Sequence, residues 1–316
     1  MRKIRLVEVK SELAAGTRGA SLGIDAMKVA SLGKQSNFFT RFEPVRVQHE
    51  NNRLFRDSPF EYAKYGEGVF IVLERVCEEI EKLRQEQLFP IVLAGDHSTA
   101  AGTICGIKKA DPNKRLGVIW IDAHADLHSP YTTPSGNMHG MPLAMVTGID
   151  NEDMEVNDVE EETEALWERI KQIGGNGPKI DASDIVFIGV RDTEPAENHL
   201  LEKHGIRNFT TQEVNDRGVK TIAAEALAQL KDCDQVYISF DVDSLDTSVS
   251  VGTGTPVPNG LSKDQACELN IELIKDQRVC CWEIVEVNPT LDTENKMANN
   301  AFDILEATTE SLIDNF

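Results

Sequence analysis

Apolar residues fall along the chain in two alternating rhythms. Short runs, apolar throughout or strictly alternating, are followed by longer stretches in which apolar positions recur every three or four residues. KIRLVEV at 3–9 alternates and predicts a first strand, and PVRVQ at 44–48 a weak second one. Between 66 and 86, Val69, Leu73, Val76, Ile80 and Leu83 recur at helical spacing with Glu, Lys and Arg between them. FPIVLAG at 89–95 and LGVIWIDA at 116–123 are apolar without alternation and predict buried strands. A helix opens in DHSTAAGTICGIKKA between them, with Ser98 or Asp96 as its cap. DIVFIGV at 184–190, a short run at 206–210, QVYISFDVD at 235–243 and VCCWEIVEV at 279–287 repeat the strand signal. Helical periodicity returns near 24–32, at 195–204 and 219–231, after the Ser262–Gln265 capping box, and from 293 to 313.

Strands buried on both faces and alternating with helices are the signature of a parallel sheet covered on both sides. The expectation is an α/β chain, a three-layer α/β/α unit around a central, mostly parallel sheet of about eight strands. It spans 1–316 as a single catalytic domain, because no repeat, linker or composition break divides it. Only 149–182 stands apart. It joins the acidic run EVNDVEEETE to a helix carrying Leu166, Trp167, Ile170 and Ile173, and reads as a solvated insertion.

Composition narrows the function by exclusion. Hydrophobic residues make up 41% and charged ones 27% of 316, the balance of a globular protein. A net charge of −21 argues against nucleic acid and against an anionic membrane as partner, while tolerating a small cationic substrate. No apolar run is long enough to cross a bilayer, and MRKIRLVEVKSEL has no signal-peptide pattern, so a cytoplasmic protein is expected. Six cysteines without a C-x-x-C pair read as reduced thiols, with Cys280 and Cys281 in strand core. GTRGASLG, after the first strand, has neither the dinucleotide nor the P-loop glycine spacing and reads as a turn with a structural arginine, Arg18.

The candidate chemistry sits where the predicted strands end. Asp122, His124 and Asp126 follow one strand at a spacing of two, which puts them on one side of an extended backbone. Asp96 and His97 follow another. Asp241 and Asp243 close a third, Glu286 and Asn288 a fourth, and Arg191, Asp192 and Glu194 follow a fifth. Ligands bind beyond the carboxyl ends of such strands. Two imidazoles and four carboxylates, His97, Asp122, His124, Asp126, Asp241 and Asp243, exceed one closed zinc site and suit two divalent ions sharing carboxylates. The oxygen-rich set favours manganese, and such a pair lowers the pKa of a shared water for hydrolytic attack.

Several motifs together resemble one family. GDHS at 95–98, DAHAD at 122–126, SGNMHG at 135–140, SFDVDSLD at 239–246, GTGTP at 252–256 and EVNP at 286–289 are similar, in order and spacing, to the ureohydrolases, the arginase/agmatinase family. The resemblance implies a three-layer fold, two Mn2+ per subunit, a small cationic guanidino substrate, release of urea, and a homo-oligomer, trimer or hexamer. It implies that His97, Asp122, Asp126 and Asp241 hold one ion and His124, Asp122, Asp241 and Asp243 the other, with Asp122 and Asp241 bridging. Asp126 would also orient the attacking hydroxide, His139 would transfer a proton, and Glu286, beside Thr255, would pair with the guanidinium.

SPYTTPSGNMHG at 129–140 resembles the arginase subgroup more than the agmatinases. There the resemblance implies that Thr133, Ser135 and Asn137 hold the substrate's α-carboxylate, and that Glu194 and Glu197 read its α-amino group. The chain departs from the subgroup in four places: His128 for an asparagine that helps bind the carboxylate, Glu194 for aspartate, AGDHS for GGDHS, and a longer 149–182 segment. The first two leave room for agmatine, a guanidino acid or formimidoylglutamate as substrate. A dinuclear metallophosphoesterase or a non-catalytic metal-binding protein is the more distant alternative. The first lacks the further Asn and His motifs, and the second has no use for His139.

Overall fold

A computed structural model describes residues 3–315. Its strands are β1 (Lys3–Val9), β2 (Pro44–Val47), β3 (Leu88–Ala94), β4 (Leu116–Ile121), β5 (Ile185–Ile188), β6 (Arg207–Phe209), β7 (Gln235–Asp241) and β8 (Val279–Val285). They form one 8-stranded sheet in the order β2-β1-β3-β8-β7-β4-β5-β6, with every pairing parallel. Alternate residues of each strand feed two cores. Val118 and Trp120 of β4 face one, Ile119 and Ile121 the other, and all four are fully buried. Hence the strands read as apolar without alternation. Helices Gly66–Gln85, Thr99–Ala110, Pro142–Thr147 and Glu161–Lys171 cover the first face. Gly23–Gly33, Val219–Gln229, Lys263–Ile274 and Lys296–Asp314 cover the second. Helix Gly66–Gln85 buries the stripe Val69, Val72, Leu73, Val76, Ile80 and Leu83, each side chain contributing about 1.5–3 kcal/mol.

β3 and β4 are consecutive in sequence but separated by β8 and β7 in the sheet. Strand order therefore reverses between them, and the crevice at their carboxyl ends is where a ligand fits. Most predicted strands run on too far, β5 ending at Ile188 rather than 190, and in β7 and β8 the reason is tied to that crevice. β4 stops at Ile121. β7 stops at Asp241, where the carboxylate accepts the Asp243 N–H at 2.8 Å and starts a tight turn over Val242–Ser244. β8 stops at Val285 because Glu286 adopts a left-handed φ of 67°. The helix after β3 has no side-chain cap: Ser98 is already helical, and Asp96 accepts the Ser98 N–H instead. Short helices Phe38–Arg41, Pro142–Thr147 and Thr211–Arg217 carry too few turns to show a period.

The segment 149–182 is only half solvated. Glu160, Glu161, Glu162 and Glu164 are exposed, as the charge run predicts, but Leu166, Trp167 and Ile170 are buried in the first core. Asp150 anchors it, accepting from Trp167 Nε1 at 2.6 Å and Lys171 Nζ at 2.8 Å. Arg18 is the structural arginine of its turn, donating to the carbonyls of Ala15 and Thr17. None of the six cysteines is in a disulfide, and no described helix is long and apolar enough to cross a membrane.

Candidate active site and metal centre

The residues predicted from strand ends converge. His97 follows β3 after Gly95, where a β-carbon would meet Ser11 O at 2.0 Å, so only glycine lets the loop from β1 pass this close. His97 Nδ1 lies 3.1 Å from one oxygen each of Asp122, Asp126 and Asp241. Asp122 presents its other oxygen to His124 Nδ1 at 3.5 Å, and His124 Nδ1 is 3.0 Å from Asp243. Two groups result, His97–Asp122–Asp126 and Asp122–His124–Asp243, each compact enough to hold a metal ion and sharing Asp122. Asp241 closes the first through its Oδ2. Its Oδ1 is taken by the Asp243 N–H.

Donor chemistry fits a pair of divalent cations. His97 Nδ1 and Asp122 Oδ2 are fully buried, face each other at 3.1 Å and have no hydrogen-bond partner. Buried polar atoms rarely stay so unless a partner is supplied. Burial pushes Asp126 and Asp241 above the usual carboxylate range, helped by the charge of Asp122 on Asp126 and of Asp243 and Asp122 on Asp241. Asp243 is pushed up to about 6 by burial and by Asp122. Burial opposes ionisation of Asp122 as well, but His124 and His97 overcome it and hold this carboxyl low. Like charges this crowded are relieved by a cation between them. Asp126 has φ 50° and Glu286 φ 67°, left-handed backbone that costs roughly 1–2 kcal/mol per residue and is kept where side chains must be aimed.

The centre floors a cavity of about 370 Å3 whose wall includes His139, Thr255, His128, Glu194 and Glu197. Glu286 lies behind His139. Its Oε1 accepts the His97 N–H at 2.9 Å and stands 3.4 Å from His139 Nδ1. Burial disfavours charge on His139, and the Glu286 carboxylate outweighs it, raising the imidazole above its ordinary value. Thr255 Oγ1 donates to Asp243 at 3.1 Å. At the far end, His128 Nε2 is 3.0 Å from Glu194 and 3.6 Å from Glu197, and Nδ1 is 3.1 Å from Thr132 Oγ1. Glu197 accepts the N–H groups of Leu127 and Glu194 and is pushed up to about 8 by burial. Glu194 is held down at about 2 by His128. The two glutamates form the capping box of helix Pro195–His204, which fixes both carboxylates at its start.

Thr133, Ser135 and Asn137 lie in the adjoining loop and are not on this wall. The Thr133 hydroxyl oxygen accepts the Gly136 N–H and that of Ser135 accepts the Asn137 N–H, so both brace the loop. Residues that sequence reasoning missed include Ser239, on His97 Nε2 at 2.8 Å, and Trp120, stacked on the imidazole at 4.0 Å. Ser239 sits two residues before Asp241 and so shares its face of β7, a usable signal. Nothing in the sequence marked Trp120.

The arginase-family model matches residues 2–309. The arginase of Brevibacillus brevis is 34% identical, with 97% of each chain covered. The chain belongs to the arginase family. Among solved structures, the Bacillus caldovelox arginase superposes with a TM-score of 0.81 at 33% identity, covering 99% of this chain and 98% of that one. The Entamoeba histolytica arginase gives 0.83 at 27% identity, covering 99% of each. Arginase-family enzymes hydrolyse carbon–nitrogen bonds of linear amidines at a binuclear metal centre, and this chain is a hydrolase of that class.

Proposed function

We propose that this arginase-family chain is a manganese arginase, converting L-arginine and water to L-ornithine and urea. One observation carries the reading: a single cavity joins the two metal-type groups sharing Asp122 to an acid–imidazole cluster at its other end. His97, Asp122, Asp126 and Asp241 would hold one ion and His124, Asp122, Asp241 and Asp243 the other. Such a pair supplies Lewis acidity and activates water near neutral pH. Asp126, which would hold the first ion beside His97, would also orient the attacking water. His139, kept basic by Glu286, moves a proton at the leaving amine. Glu286, buried behind His139 at the edge of the cavity, would pair with the planar guanidinium.

Glu194 and Glu197 receive the α-ammonium, and His128 offers an imidazole to the α-carboxylate, with Thr133, Ser135 and Asn137 bracing or completing that end. The Entamoeba histolytica relative was solved with L-ornithine, the amino-acid product of this reaction. The pairing of His128 with Glu194 favours a second reading on one point: with both imidazole nitrogens engaged, the tail pocket also suits a substrate without a carboxylate, such as agmatine. Urea release from arginine and agmatine, with manganese present, decides. Preference for arginine by at least tenfold supports the arginase reading, equal rates support the second, and no turnover of any guanidino compound ends both.

A further inference from the structure

Behind His97, away from the cavity, runs a buried line of polar groups that neither metal binding nor substrate binding uses. His97 turns Nδ1 to three carboxylates, so its ring proton belongs on Nε2 whenever Nδ1 holds a cation. Nε2 is 2.8 Å from Ser239 Oγ, which is fully buried. Having accepted that N–H, Ser239 has its own proton to place. Tyr237, two residues earlier on the same face of β7, stands next to it, and Glu283 stands across from Ser239 on β8. The phenol donates to Glu283 Oε2 at 2.9 Å, and Thr103 Oγ1 donates to the same oxygen at 2.7 Å. The hydrogen bonds lean toward the carboxylate, imidazole to Ser239 at one end and Tyr237 and Thr103 to Glu283 at the other.

Glu283 needs an explanation of its own. It stands opposite Ser239 in the β7–β8 register, in a strand otherwise apolar toward this core, with 0% exposure and no partner on Oε1. Nothing in the packing of the sheet calls for a carboxylate there, and a buried carboxylate is costly. The geometry points to a relay in which Ser239, Tyr237 and Glu283 are positioning residues: they fix the tautomer of His97, strengthen it as a donor to metal and so help set the affinity of the first metal site. Trp120, stacked on the ring at 4.0 Å and 7°, holds the plane in which the relay works. Glu283 touches neither metal nor substrate and acts only through this line. The inference rests on the reading of His97 as a metal ligand.

The test is a direct Mn2+ titration of chelator-stripped protein, following free Mn2+ by electron paramagnetic resonance, with melting temperature measured alongside. Tyr237→Phe interrupts the line at its middle and keeps the ring. Glu283→Gln removes its terminal charge and keeps an acceptor oxygen. Thr103→Val removes the other hydrogen bond to Glu283 and leaves the line intact. Tyr237→Phe and Glu283→Gln are expected to weaken the tighter Mn2+ site about tenfold, within the 10–100-fold range of outer-shell partners of metal-bound histidines. The double variant should be no weaker than either single one, and Thr103→Val should stay within about twofold of the unaltered protein. Unchanged affinity in a folded Tyr237→Phe would overturn the relay, as would equal weakening by Thr103→Val, which would reduce Glu283 to a packing role. Should Glu283→Gln not fold, Tyr237→Phe alone carries the decision. If the unaltered protein takes up no Mn2+, the metal reading itself fails, an outcome distinct from the failure of the relay.

Discussion

His139 and Asp241 lie in one cavity, yet loss of each should look different. His139 touches Glu286 and no candidate metal ligand through its side chain. Replacement by Asn keeps a polar side chain but leaves no group that can take up and release a proton near neutral pH, so turnover should fall roughly 10²-fold or more, the usual worth of general acid–base catalysis. Bound manganese should remain at its original level by elemental analysis. Asp241→Asn should lose metal and activity together, because its Oδ2 faces His97 Nδ1. The reverse pattern would sink both assignments. His128 gives a third test. If its imidazole meets a carboxylate, His128→Ala should raise KM for arginine about tenfold, consistent with the roughly 1.5–3 kcal/mol of a hydrogen bond to a charged group. It should leave agmatine unaffected. A parallel change for both substrates would place His128 in loop support rather than recognition.

Interlocking of elements can be probed where helices meet. Asp303, on helix Lys296–Asp314, pairs with Lys34 just past helix Gly23–Gly33 and with Lys263 opening helix Lys263–Ile274. Partial burial pushes this carboxyl up, and the two ammonium groups more than offset it, leaving it below the ordinary range. A depressed acid stabilises the fold above its unfolded pKa, and that contribution disappears as pH falls through the folded value. Asp303→Asn should therefore melt lower than the unaltered protein at pH 7 and converge with it in strong acid, once pH has fallen through the lowered value of this carboxyl. Since Asp303 is about one-third exposed, the cost at pH 7 should not exceed about 1 kcal/mol. A gap that persists in acid would assign the loss to packing.

At this scale much of the molecule was legible in its sequence, because a sheet buried on both faces leaves runs such as LGVIWI and a covering helix leaves the Val69–Leu83 stripe. The excess length predicted for β7 and β8 has one cause: residues 242 and 286 continue the apolar or acidic pattern while their backbones turn to aim side chains. The six candidate ligands were legible because they end strands. Glu283 and Tyr237 were not read, since their partnership exists only through the β7–β8 register and the packing of Thr103 over it.

For the molecule as a whole, the centre is a joint between chain segments far apart in sequence. Carboxylates and imidazoles after β3, β4 and β7 meet in it, and without a cation their like charges oppose the closure of the sheet's central crevice. Asp241 is raised by burial and then by Asp243 and Asp122, so its folded value lies above its unfolded one. An acid raised in this way costs stability progressively as pH climbs from its unfolded pKa toward the folded value. Metal-free protein should thus lose stability from about pH 4 upward through this group. Manganese, by binding the folded form, should restore it by about 4 kcal/mol when free metal is 1,000 times the dissociation constant. Asp241→Asn separates the two effects. It removes a crowded carboxylate and a ligand together, so metal-free Asp241→Asn should melt above the metal-free unaltered protein at pH 8 and respond little to added Mn2+. Thermal unfolding of both proteins, with and without Mn2+, at pH 5 and pH 8 measures all of this. A metal-free variant that melts lower than its parent at pH 8 would mean that Asp241 holds the crevice together without a cation, contrary to the charge balance argued for the site.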